Sequence, residues 1–202
     1  MISLPVQIHT LSIKKPHLEI RYPVVIGLAD KKIETKINNE IIKTVNYLLL
    51  QQGYLQNPNV EIMGSYEIKT NERNILSLIL ISYGYSGGAH GFTIIKGLTF
   101  DMVTGKLVTL KNLFKESSPY KKELSEIIQQ QIKERDMFIL GGFNEILPEQ
   151  DYYIADKSLV IFFQLYQLSP YAQGFPSFPI SLYRIRDIVG DDSILRRMMT
   201  FY

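Results

Sequence analysis

No cysteine occurs in the 202 residues, which excludes disulfides, thiolate metal sites and a cysteine nucleophile. Tryptophan is also absent, and histidine is scarce. His9, His17 and His90 stand apart, and no His-x-x-x-His or His-Glu-x-x-His run supplies metal-ligand spacing. No Asp-x-Asp-x-Asp-Gly loop offers an oxygen site either, so neither a metal nor a cofactor is expected. Apolar runs such as Leu159 to Phe163 are too short to cross a bilayer, so no membrane span is expected. Charge is nearly balanced, 22 Lys+Arg against 20 Asp+Glu, and neither sign forms a block. A nucleic-acid groove needs a basic stripe, so a nucleic-acid partner is not expected. The segment from Met1 to Thr10 lacks the basic and long apolar regions of an export signal, and the absence of cysteine does not choose a compartment.

What is present describes a core-forming chain. Hydrophobic residues make up 46% and charged residues 21%, with no low-complexity linker and no internal repeat. One unit spanning residues 1–202 is expected, with 1–114 and 115–202 as subdomains if it divides. Val6, Ile8, Leu11 and Ile13 mark an extended run, and a second strand from His17 to Leu28 is interrupted by Pro23. Asp30 is placed to cap a helix over residues 31–52, where Ile33, Ile37, Ile41, Val45, Leu48 and Leu49 form one stripe before Gly53. Strand signals follow at Val60 to Lys69, Ile75 to Ser82, Phe92 to Asp101 and Lys106 to Leu110. Ser118 and Pro119 place a cap and a first-turn proline before a second helix carrying Leu124, Ile127, Ile128 and Ile132. Further strands are expected at Tyr152 to Ala155, Leu159 to Leu168 and near Ile180 to Leu182, ahead of a short helical tail. Strands gathered around two long helices without βαβ alternation predict an α+β fold with a largely antiparallel sheet.

Two loops stand out. Tyr83 to Gly91 holds four glycines in the eight residues from Gly84, together with His90. Ordering so much glycine is expensive, which points to unusual φ values or a close backbone approach. His90 could act as a base with Ser86 as nucleophile and Asp101 as orienter, although no Gly-x-Ser-x-Gly elbow is present. The competing reading is a ring that hydrogen-bonds local backbone and fixes the loop. A phosphate cradle does not fit, because a strand rather than a helix follows the glycines. Glu145, Glu149, Asp151 and Asp156 cluster in sequence, but nothing selects a pair for glycoside chemistry. The second loop, Ser169 to Pro179, crowds Tyr171, Phe175 and Phe178, with Tyr166 just ahead of it, around Pro170, Pro176 and Gly174. Proline pre-orders such a loop and tyrosine gives contact area at low entropic cost, which suits recognition; rings folded back onto the sheet are the alternative.

Three segments resemble one bacterial family. They are Tyr22 to Lys32 with Ile37-Asn38, then Ser86 to Gly91 with Gly97 to Asp101, Thr104 to Lys106 and Leu110 to Phe114, and finally Tyr166 to Gly174. The family is a domain pair seen in the extracytoplasmic, lysozyme-sensing region of RsiV-type anti-sigma-V factors. It also occurs in the N-terminal part of PdaC-type peptidoglycan deacetylases. The resemblance implies a non-catalytic recognition module of the cell envelope, located outside the cytoplasm, with a lysozyme-like protein or peptidoglycan glycan as partner. Carried over motif by motif, the implied contacts are Ser86, Gly87, Gly88 and His90 in one loop and Ser169, Pro170 and Tyr171 in the other. Two alternatives stay open: an envelope-polymer hydrolase using His90, and a stand-alone cytosolic or spore-associated protein.

Overall fold

In a computed structural model, residues 5–57 and 59–199 are described; Met1 to Leu4, on which part of the reading of the amino terminus rests, lie outside them. The chain divides into two units, the first ending at Leu107 and the second beginning at Val108.

The first unit is a six-stranded sheet with one long helix. Its strands are β1 (Gln7–Lys15), β2 (Leu18–Ile26), β3 (Glu61–Glu72), β4 (Ile75–Tyr85), β5 (Phe92–Asp101) and β6 (Lys106–Leu107), and they lie side by side in chain order. Helix α1 (Lys31–Gln51) buries Ile37, Ile41, Val45, Leu48 and Leu49 against Leu76, Leu78, Leu80, Leu98 and Phe100, which is the stripe the periodicity predicts. Asp30 caps it as expected, accepting from the Lys32 and Ile33 amides at 2.8 and 3.3 Å. Gly53 ends it at φ +77°.

The sheet is mostly but not wholly antiparallel. β2 and β3 run parallel, Leu18–Ile20 beside Ile62–Gly64, because α1 carries the chain back between them. That βαβ step corrects the expectation of none. The parallel register stops at Ile20, so Pro23 faces no β3 ladder and β2 tolerates it. Beyond that point Asn38 of α1 takes the neighbour's role. Its carboxamide accepts from the Val25 amide at 2.9 Å and donates to the Val25 carbonyl at 2.9 Å. Asn71 does the same for Val6, at 3.0 and 2.9 Å.

The second unit holds helix α2 (Tyr120–Glu134), the antiparallel sheet of β7 (Tyr152–Ala155), β8 (Ser158–Phe162) and β9 (Ser177–Ser181), and the short helix α3 (Ile194–Met199). The described residues hold three α-helices, of 21, 15 and six residues: only α1 is clearly long, α2 is shorter than expected, and α3 lies where the short helical tail is expected. Pro119 does not open α2. It sits before the helix with φ −81° and ψ 44°, and the Ser118 hydroxyl donates to the Lys115 carbonyl at 2.7 Å instead of capping. Gln131 of α2 and Arg135 just after it donate to the Pro179 and Ser177 carbonyls, each at 2.9 Å, and so satisfy the outer edge of β9. β8 is shorter than predicted. After Phe162 the chain leaves the sheet, and Phe163 packs edge-on against Phe143 and Phe178, both at 5.6 Å.

Candidate functional site

Each candidate loop belongs to its own unit. In the first, β4 and β5 are antiparallel neighbours, so the chain between Tyr85 and Phe92 must reverse over the end of the sheet. The four glycines do two different jobs there. Gly87 and Gly88 have φ +99° and +98° with open space around them, so they serve the turn. Gly84 and Gly91 serve proximity. A Cβ on Gly84 would stand 2.3 Å from Gln52 Oε1, and one on Gly91 2.4 Å from the Tyr83 ring and 2.5 Å from the Gly84 carbonyl oxygen.

The close neighbour Gln52 was not singled out in the sequence, where it is only a polar residue before Gly53. Its side-chain amide donates to the Ser82 carbonyl at 2.8 Å and to the Phe92 carbonyl at 3.1 Å, stitching together the two strands that carry the loop. Tyr85 Oη adds a bond to the Gly88 carbonyl at 3.0 Å.

Ser86, Gly87, Gly88 and His90 are all exposed. His90 Nδ1 lies 2.9 Å from the Gly91 carbonyl oxygen. A carbonyl only accepts, so Nδ1 carries the proton and, in the neutral ring, Nε2 is the acceptor. Ser86 and His90 line a cleft of about 160 Å³ with Gln52, Val60 and Phe92. Asp101 is not part of it. It ends β5 at the far side, roughly 30 Å from Phe92 at the rise of an extended strand. There its carboxylate accepts from the Val103 amide and the Thr104 hydroxyl, both at 3.1 Å. The Ser86–His90–Asp101 arrangement therefore does not assemble.

In the second unit, the segment after β8 turns twice. Gln164 to Gln167 is closed by the Gln167 amide bonding the Gln164 carbonyl at 3.1 Å, with Tyr166 at φ +63°. Pro170 then introduces a single 3-10 turn, Tyr171–Gln173, ended by Gly174 at φ +67°. Between the two turns the Leu168 carbonyl accepts from the Leu140 amide at 2.8 Å.

The aromatics of this region separate. Phe178 is core, whereas Tyr166 is 50% exposed and Tyr171 half-buried, their rings 5.8 Å apart and tilted by 36°. Ser169 is fully buried, its hydroxyl without a hydrogen-bond partner, so Pro170 and Tyr171 are the members of this group that meet solvent. Phe138 and Leu140, 64% and 41% exposed, lie on the segment bonded to Leu168; the sequence reading did not single them out, although the adjacent Gly141-Gly142 pair marks a loop there.

Of the clustered carboxylates, Glu145 is bound to Lys121 at 2.7 Å, a bond that raises the Lys121 pKa. Asp151 accepts from the Gln164 side-chain amide, Nε2, at 3.0 Å. Among the described residues no three His, Asp or Glu side chains gather as a metal would require, and no helix is long and apolar enough to cross a membrane.

Two family models match the chain in succession: the one described as Deacetylase PdaC over residues 13–93, and the one described as Protein of unknown function (DUF3298) over residues 111–183. The anti-sigma-V factor RsiV of Bacillus subtilis strain 168 is 28% identical over 195 residues, covering 89% of this chain and 67% of its own length. The peptidoglycan-N-acetylmuramic acid deacetylase PdaC of the same strain is 24% identical over 147 residues, 66% of this chain and 30% of its own. The chain thus spans about two thirds of the first relative and under a third of the second. A DUF3298 family structure from Bacteroides fragilis superposes with a TM-score of 0.74 at 16% identity, covering 96% of this chain and 97% of its own. One from Pseudomonas aeruginosa PAO1 gives 0.72 at 11% identity, covering 98% of each. These two share the fold. With its two matches in order and these two relatives, the chain carries the PdaC–DUF3298 domain pair seen in the anti-sigma-V factor and in the deacetylase.

Proposed function

We propose that the chain is a non-catalytic recognition module of the bacterial cell envelope that binds a lysozyme-like protein. Pro170 and Tyr171 make contact from the second unit, and Ser86, Gly87, Gly88 and His90 from the first. The observation that carries this reading is the Pro170–Gly174 turn. A proline and a one-turn helix hold a partly exposed tyrosine in place before any partner arrives, which lowers the entropy lost on binding. The exposed glycine loop, fixed at its base by Gln52, offers backbone groups in a similar way. Kinship with the anti-sigma-V factor supports the choice of partner class.

The test is inhibition of a c-type lysozyme by the purified chain, repeated with Tyr171→Ala. Inhibition that disappears in the variant, at an unchanged melting temperature, is the expected result. Equal inhibition by the variant rejects the contact residues, and no inhibition or binding by either protein rejects the partner class. In that case soluble peptidoglycan fragments become the next ligand to titrate.

A further inference from the structure

We infer that Tyr166 is a second anchor of this recognition surface, held ready by a backbone conformation that works against folding; the inference rests on the function proposed above. Tyr166 is the third residue of the Gln164–Gln167 turn and sits at φ +63°. For a bulky aromatic that region is a true outlier, and glycine or asparagine would occupy it at lower cost. Its side chain does not recover the difference by burial, since half of its surface stays in water. Burial in this stretch comes from Leu165 and Leu168, 7% and 2% exposed. A tyrosine gaining neither an easy backbone nor a place in the core is explained by what its ring does outside.

The turn is also held from several directions. The Gln164 amide donates to Gln167 Oε1 at 2.9 Å, the Gln164 side chain donates to Asp151 at 3.0 Å, and the Leu168 carbonyl is tied to Leu140. That over-determination is what lets a strained residue persist. The product is a two-ring ridge, Tyr166 leaning on Tyr171 at 5.8 Å. The ridge stands beside the segment that exposes Phe138 and Leu140, apolar side chains with no hydrogen-bonding capacity. Two partly exposed rings beside exposed Phe138 and Leu140 offer mainly apolar contact, which suits a protein surface better than a hydroxyl-rich sugar, in keeping with central aromatic anchors at protein interfaces.

The experiment separates this role from a structural one, because Tyr166→Gly relieves the backbone while removing the ring. Calorimetric titration of a c-type lysozyme, with melting curves, is run on the natural chain, Tyr171→Ala, Tyr166→Gly and Tyr166→Phe. The expected result is that Tyr166→Gly melts at the natural temperature or above it and binds at least tenfold more weakly, while Tyr166→Phe stays within about threefold. Loss of affinity in Tyr171→Ala alone overturns the inference and leaves the proposed function standing. A melting temperature several degrees lower in Tyr166→Gly overturns it as well, by showing the ring to be structural. Failure of the natural chain to bind removes the proposed function and the inference together.

Discussion

Replacing Gly84 by alanine adds one methyl group, which would sit 2.3 Å from Gln52 Oε1 and 2.8 Å from Gln52 Cδ. No real Cβ tolerates such contacts, so Gln52 has to swing away and release the Ser82 and Phe92 carbonyls. Two hydrogen bonds at roughly 0.5–1.5 kcal/mol each set the loss at about 1–3 kcal/mol. Gln52→Ala forfeits the same two bonds and should cost about the same. With the side chain gone, the next obstacle to the new methyl is Gln52 Cβ at 3.3 Å, a contact that small shifts absorb. The double variant should therefore be barely less stable than either single one, a coupling of about 1–3 kcal/mol. Urea denaturation of the four proteins, followed by circular dichroism, measures it. Additive losses would refute the reasoning, because they would mean that Gly84 is required for something other than the Gln52 side chain.

Four further outcomes follow from the same geometry. Gly91→Ala should be more damaging than Gly84→Ala, because the added methyl meets the Gly84 carbonyl oxygen at 2.5 Å and backbone cannot swing aside; denaturation midpoints in urea rank the two. Asn38→Ala removes both partners of Val25 and should lose about 1–3 kcal/mol, read from the same curves. Ser169→Ala deletes a buried hydroxyl that has no partner and should leave the melting temperature unchanged or raise it; a drop of several degrees would show that the hydroxyl is bonded. The Glu34 carboxylate, bonded to the Lys31 ammonium and the Leu28 amide, has its pKa held below the ordinary 4.5. A depressed carboxylate contributes stability in full above its unfolded value and loses it as pH falls through the folded one. Melting temperatures of the natural chain and Glu34→Gln should hence converge as pH drops below about 4.5.

What the sequence disclosed follows from the range over which each signal acts. Helix α1 was legible because its stripe, its Asp30 cap and its Gly53 stop are all local. The parallel pairing of β2 with β3 was not, since only three residues of each strand meet and a helix of 21 residues separates them. Pro119 misled for a related reason: a proline at the head of a helix fits the position before it as well as the first turn, and side-chain bonding by Ser118 decides between them. At the glycine loop, composition announced both possible causes, unusual φ and close approach. Only Gln52 and Tyr83 in three dimensions assign Gly84 and Gly91 to the second. Ser169 and Tyr166 show the same limit in the second loop. Adjacent polar and aromatic letters do not tell which side chain turns inward, and here the serine is buried while the tyrosine is exposed.

Backbone hydrogen exchange with and without a c-type lysozyme addresses the recognition surface most directly. The account predicts slowed exchange confined to the segments 164–173 and 86–91, with the interiors of α1 and β4 unaffected. Slowing that spares both loops, or that is absent while lysozyme is in saturating excess, would contradict it.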